Sequence, residues 1–164
     1  MFREMRRKHQ ILSEKECIDI LNRATSGTLA LLGDDDYPYA VPMSYVFYDG
    51  KIFFHSALTG HKIDAVKRHN KASFCVIYKD DVLPEKFTTC FQSVIAFGEI
   101  RIIENDFEKR QAIEILSEKY SPGLEKENEI NGSFDRMHMI EFNIEHMTGK
   151  EAIELVKIRE NKQI

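Results

Sequence analysis

The stretch YPYAVPMSYVFYDGKIFFHSALTGHKID, Tyr37 to Asp64, decides how this chain folds. Its first twelve residues are rich in β-branched and aromatic side chains, but Pro38 and Pro42 interrupt them. Proline brings no amide donor to a ladder, so this is a strand at a sheet edge or one bulged near its prolines. Asp49-Gly50 is the strongest short-range hairpin signal in the chain, and it folds KIFFHSA back antiparallel onto that strand. Beyond it Thr59 is a good helix N-cap, with Leu58 and Ile63 at the staple positions. A short helix then runs from about Gly60 to His69 and ends at Asn70.

Elements upstream and downstream extend the same pattern. Ser13 opens the capping box S-E-K-E, and Thr25-Ser26-Gly27 closes a first helix over about 13–25. GTLALL is a short strand before the Gly33–Asp36 turn. ASFCVIY (72–78) is a further strand, and 79–89, with Asp80-Asp81 and Pro84, is expected to be a loop. FQSVIAFGEIRIIE (91–104) reads as a long strand with a bulge or kink at Gly98. Asn105 caps a third helix whose expected buried side is Phe107, Ile113, Leu116 and Tyr120, and Ser121-Pro122-Gly123 stops it. A polar loop leads to the alternating strand MHMIEFNIEHM. A second capping box, Thr148 to Glu151, is expected to open a terminal helix reaching about Glu160. Strands joined by hairpins, rather than strict strand–helix alternation, predict an α+β domain with an antiparallel sheet or barrel, and no linker or repeat divides residues 1–164.

Composition excludes several functions. Net charge is −4, which argues against a dedicated nucleic-acid binder; the basic cluster Arg3, Arg6, Arg7 and Lys8 reads as a solvated tail. No apolar run approaches the roughly 20 residues of a membrane helix, and the N-terminus lacks the apolar core of a signal peptide. Cys17, Cys75 and Cys90 are widely spaced and odd in number, which suits a reducing cytoplasm. No C-x-x-C, H-E-x-x-H, G-x-S-x-G, G-x-G-x-x-G or Walker loop occurs, so no metal site or common nucleotide fold is expected.

Physical chemistry singles out the turn into the short helix. A helix N-terminus carries about half a positive charge, and its free N–H groups form an anion site. Lys62 adds a full charge at that end, where the dipole disfavours it unless an anion is present. Ser56 and Thr59 contribute hydroxyls, and Gly60 permits close backbone approach. From spacing alone two readings stand: a well-capped turn with an exposed lysine, or a phosphate site. His55 is equally open between a satisfied strand-end histidine and a functional one.

The segments MRRKHQILSEKECIDIL, GTLALL, YPYAVPMSYVFYDGKIFFHSALTGHKID, FQSVIAFGEIRII and IEHMTGKEA together resemble flavin-binding split-barrel proteins of the nitroimidazole-resistance type. These sit in the wider superfamily that includes pyridoxamine 5′-phosphate oxidase. The resemblance spans Met5 to Ala152, and its most specific pieces are H-S-A-x-x-G-x-K-I-D and S-V-I-x-F-G. It implies a six-stranded antiparallel split β-barrel with flanking helices, a homodimer, and FMN (FAD being the alternative) at the subunit interface. By the same resemblance Lys62 neutralises the flavin phosphate with Ser56, Thr59 and His61 beside it, and Ser93 faces the phosphate and ribityl end. Val41-Pro42-Met43-Ser44 would run along the isoalloxazine edge, and His55 would face flavin or substrate.

Two departures matter. Many relatives carry arginine where this chain has His61, which predicts weaker or pH-dependent cofactor affinity. The basic C-terminal residues of pyridoxamine-phosphate oxidases have no match, so vitamin B6 oxidation is not expected. The activity implied is reduction of a small electrophile such as a nitroaromatic, with electrons from reduced nicotinamide or another donor. No residue stands out as an obligatory acid or base. The alternative from another class is a non-enzymatic haem- or flavin-binding protein, with His55, His61 or His146 as iron ligand.

Overall fold

The computed structural model describes residues 1–161. Eight strands form one sheet: β1 Ile11–Leu12, β2 Ser26–Leu32, β3 Pro38–Ser44, β4 Val46–Tyr48, β5 Lys51–Ala57, β6 Lys71–Leu83, β7 Thr88–Ile102 and β8 Met137–Glu151. Six of these have at least seven residues, matching the expected six; β1 and β4 are short additions. Five helices flank them: α1 Glu14–Arg23, α2 His61–Arg68, α3 Asp106–Tyr120, α4 Glu127–Ser133 and α5 Ile153–Asn161. The strand order is β3-β2-β6-β7-β8-β5-β4, with β1 on β8. Every pairing is antiparallel.

β3 and β4 lie at opposite edges of this sheet, yet only Tyr45 separates them in the chain. The sheet therefore curls until its edges meet at one residue, without pairing across the gap. This is a split barrel, and the prolines of β3 explain which strand sits at the split. Tyr45 is fully buried and anchored at the corner. Its hydroxyl donates to the Leu21 carbonyl (2.8 Å) and its N–H donates to the Tyr120 hydroxyl (2.9 Å). Lys119 lies over its ring, 4.2 Å from the centroid.

The inner face of the barrel is filled by Leu29, Met43, Phe54, Phe74, Val94, Ile140 and Phe142, closed by Leu21 of α1 and Ile63 of α2. Phe74 meets Tyr45 and Phe54 edge-on, at 4.9 and 5.1 Å. Each such aromatic contributes roughly 1.5–3 kcal/mol through burial. A second cluster lies on the outer face, where α3 and α4 cover Phe53 and Met139 with Ile113 and Ile130.

Local signals held where they were geometric. Ser13 and Glu16 form the reciprocal capping box, and Asn105 accepts from the Glu108 N–H. Asp49 and Gly50 both take positive φ (49° and 74°), as a two-residue hairpin of that type requires. The ladder shifts register at Phe97/Gly98, where a Cβ on Gly98 would stand 1.9 Å from the Asn143 carbonyl oxygen.

Four expectations need correction. Residues 79–89 are not a loop: β6 and β7 run on as a long hairpin, with a bulge at Ile77/Lys79 and a turn only at Pro84–Lys86. The Thr148–Glu151 box is not used. Those residues pair with Gln92–Ile95 of β7, and ladder and burial outweigh the local cap, so the helix starts at Ile153. The last part of the expected terminal segment, 162–164, lies outside the described residues. Phe107 is 71% exposed, because α3 docks through Ala112 and Ile113 instead. The polar connection before β8 contains α4, whose single buried residue, Ile130, left no periodic signal.

Candidate functional site

α2 does not start as its sequence suggested. Gly60, at φ 122°, occupies the N-cap and no side chain caps the helix; Thr59 is exposed on the turn before it. A left-handed residue is needed there, and glycine takes it without strain. The first-turn amides of α2 are thus free of any capping side chain, and nothing lies within 4 Å of a Cβ built on Gly60. That open, amide-lined end fits an anion.

Lys62 reaches from this end to β3, placing Nζ 3.1 Å from the Met43 sulfur. The thioether is a weak acceptor, and among the described residues Lys62 has no carboxylate partner. Burial lowers its pKa from the ordinary lysine value. A half-buried, unpaired ammonium destabilises the fold unless an anion joins it.

His61 is held on both sides. Its ring stacks on Tyr39 of β3 at 4.1 Å, and its Nε2 accepts the Asp34 N–H at 3.4 Å. The Asp34 carboxylate lies 3.7 Å from the same nitrogen and is itself paired to Arg68 at 2.7 Å. Nε2 accepts in the amide contact, and a donating Nε2–H would turn to the Asp34 carboxylate instead. Gly33 allows this approach: a Cβ there would stand 3.1 Å from Nε2. Tyr39, Asp34 and Arg68 were missed in the sequence, where the aspartate run signalled only a turn.

The remaining expected residues divide between two faces. Successive strand residues point to opposite sides. Val41 and Met43 face inward, as does Ser56, which is buried beside Phe54 and opposite His138. Pro42 and Ser44 face outward. So does His55, exposed and opposite Met139. Ser93 is outward too, next to Ile95, on a strand separated from β3 by β2 and β6, about 14 Å along the sheet. Within one chain, then, Lys62, His61, Met43, Val41 and Ser56 share the inner side, while His55 and Ser93 do not join them. The outer face around Ser93 is apolar, with Ile77 65%, Ile95 39% and Phe97 37% exposed.

A cavity of about 870 Å³ lies between the N-terminal arm, α1 and β8, bordered by Met5, Phe47, His146 and Met147. Phe2 stacks on the His146 ring at 4.6 Å. Among the described residues no group of three His, Cys, Asp or Glu side chains is placed to hold a metal ion. All three cysteines are free, and burial pushes the Cys17 thiol up to about 11, so it is not a nucleophile near neutral pH. No helix among the described residues is long and apolar enough to cross a membrane.

Residues 13–151 match the family described as pyridoxamine 5′-phosphate oxidase. The chain belongs to that family. No curated protein matches it. Among solved structures, one similar fold is a candidate 5-nitroimidazole antibiotic resistance protein from Bacteroides thetaiotaomicron, with TM-score 0.75, 19% identity and 86% of each chain covered. A second is the FAD and heme binding protein from Mycobacterium smegmatis, with TM-score 0.73 and 19% identity over 85% of this chain and 71% of that one. A third is a FAD-binding protein from Mesorhizobium loti, with TM-score 0.63 and 23% identity over 87% and 97%. At these identities the likeness establishes the split-barrel fold of this family member.

Proposed function

We propose that this family member is a flavin-binding oxidoreductase that holds FMN with its phosphate at the α2 N-terminus. The observation that carries the reading is Lys62, a half-buried ammonium without a carboxylate partner beside uncapped helix amides. Lys62 and the first-turn amides would hold the phosphate, and the Ser56 hydroxyl would reach it from the inner side. FAD would present the same first phosphate to the same groups. The unpaired outer edge of β3, over Val41–Ser44, would offer main-chain groups to the ring edge. Bound flavin supplies two-electron transfer from reduced nicotinamide or another donor to a small electrophile such as a nitroaromatic. The chain's own residues would bind and orient the flavin and exclude water.

The proposal includes a homodimer. His55 and Ser93 lie on the outer face, so they complete the site only if a second copy packs there, and the exposed Ile77, Ile95 and Phe97 suit such packing. His55, brought to the groove that way, would contact flavin or substrate. The three free cysteines suit a cytoplasmic setting.

The test is an absorption spectrum of protein mixed with FMN and freed of excess. A flavin band near about 450 nm that Lys62→Ala abolishes supports the reading, and a protein that retains no flavin sinks it. A second reading, haem binding, is favoured by one observation: His146, Met5 and Met147 border the 870 Å³ cavity. A sharp Soret band with haemin, lost in His146→Ala, would establish it in place of the flavin reading.

A further inference from the structure

The N-terminal arm, residues 1–9, forms one wall of the 870 Å³ cavity and is tied down at its two ends. At its base Gln10 is buried, and its Nε2 donates to the Glu151 carbonyl at 2.9 Å. Ile11 and Leu12 then pair with Lys150 and Gly149 of β8. At its tip the Phe2 ring lies flat on the His146 ring, 4.6 Å away with 7° between the planes, and meets Phe97 at 5.6 Å. Between those ends every arm residue is exposed except the half-buried Met5. Among the described residues no hydrogen bond or ion pair joins residues 1–9 to anything beyond Ile11: Arg7 bonds to Gln10, the Lys8 carbonyl accepts the Ile11 N–H, and Lys8 pairs with Glu4 at 3.6 Å.

The cavity beneath the arm suits an uncharged ligand. Its volume lies in the range of small-molecule sites, roughly 300–1,000 Å³. Ile18 of α1 and Ile144 and Met147 of β8 give it an apolar wall. Of the charged side chains that border it, Lys8 is paired with Glu4 and Glu145 with Lys71, which leaves Arg3 to balance Glu14. No net charge remains to select an anion or a cation. His146 and Phe97 make an aromatic shelf at its edge, their centroids 6.3 Å apart. Phe2 shows what that shelf accepts, a planar ring parallel to the imidazole. The chain supplies this ring from a segment held by little else.

We propose that the arm is a lid hinged at Gln10, and that the cavity beneath it takes an uncharged ligand carrying a flat aromatic ring. That ring displaces Phe2 from His146, and the apolar body of the ligand rests against Ile18, Ile144 and Met147. The docked arm holds the site shut until a ring competes with Phe2, so the closed state lowers the apparent affinity of any such ligand. The site depends on neither flavin nor haem, and Lys62 does not border it.

The test is a titration of the full chain with Nile red, an uncharged planar dye whose emission rises in apolar surroundings. Saturable binding is expected, and emission that never saturates overturns the proposal. Phe2→Ala changes an exposed tip outside both core clusters and should tighten binding roughly 2- to 10-fold, the worth of one aromatic stack. Binding at the parent's affinity overturns the lid. Ile18→Asp should abolish binding, and a dye that still binds sits elsewhere and overturns the site. The chain has no tryptophan, so Phe2→Trp carries a single reporter. Acrylamide should quench it weakly in the free protein and strongly once the dye is bound; unchanged quenching shows an arm that never lifts. Lys62→Ala should leave the titration unchanged, whereas loss of binding would place the dye in the flavin groove and overturn the proposal. A change of oligomeric state in Phe2→Ala would make the shelf a contact between copies and overturn it equally.

Discussion

Lys62 and Lys119 are two half-buried lysines with the same electrostatic complaint and opposite solutions. Burial lowers the pKa of both, that of Lys119 to about 8, and among the described residues neither has a carboxylate partner. Lys119 nevertheless is satisfied. It donates to the Ala24 carbonyl at 2.6 Å, reaches that of Leu21 at 3.4 Å, and rides over the Tyr45 ring. It binds the end of α1, where carbonyls are free and the dipole welcomes a cation, to the corner that turns β3 into β4. Lys62 sits at a helix start, where the dipole opposes it, with only a sulfur for company. The difference is that the donors of Lys119 are used by carbonyls of the fold, whereas Lys62 is left with a weak sulfur acceptor.

The largest effect tests the corner itself. Tyr45→Ala should cost about 3–5 kcal/mol, since a fully buried aromatic and its hydroxyl bond are lost together; urea unfolding measures it. Lys119→Met should cost about 1–3 kcal/mol by stranding carbonyls at the end of α1. A Lys119→Met protein as stable as the parent would show Lys119 to be as idle in the fold as Lys62.

Lys62→Met should do the reverse. Stability should change by no more than about 0.5 kcal/mol or rise, because the cost of a buried unpaired charge goes with it. FMN affinity should fall roughly 10- to 100-fold at unchanged melting temperature, the worth of about 1.4–2.8 kcal/mol of phosphate contact. A Lys62→Met protein that unfolds easily and keeps its flavin would move Lys62 into the structural class.

The smallest effect is in pH. Below pH 8 both folded and unfolded states hold the Lys119 proton, and the burial cost is present in full. From about 8 toward the ordinary 10.5 the folded state sheds that proton while the unfolded chain keeps it, so stability rises with pH. Cys17 acts oppositely above its ordinary 9.0, because the folded state holds a proton the unfolded chain loses. Between pH 8 and 9, therefore, the melting temperature of the parent should gain on that of Lys119→Met. A flat difference would show that the Lys119 ammonium is better solvated than its burial suggests.

Much of this architecture was legible in the residues. Ser13, Asn105 and Asp49-Gly50 act over three or four neighbours, so their geometry is written in local order. Gly98 was legible as a bulge because only a missing Cβ admits the Asn143 carbonyl. Thr148–Glu151 misled for the opposite reason: a valid cap was outweighed by pairing with a strand some fifty-five residues earlier. The same holds at the candidate site. Lys62, Gly60 and Ser56 were readable as neighbours in one motif, whereas Asp34 and Tyr39 reach His61 only through folding.

Sequence alone determined the α+β class, the antiparallel hairpin at Asp49-Gly50, the edge-or-bulge character of β3 and the presence of a helix start just after Gly60. Each follows from backbone chemistry within a few residues: proline lacks a donor, glycine tolerates positive φ, and a helix start offers amides. Only the tertiary structure decided that Thr59 yields the cap to Gly60, that His55 and Ser56 face opposite sides, and that Phe2 stacks on His146. Those outcomes depend on burial and on contacts between residues distant in sequence, and such contacts exist only once the sheet has curled and its core has closed.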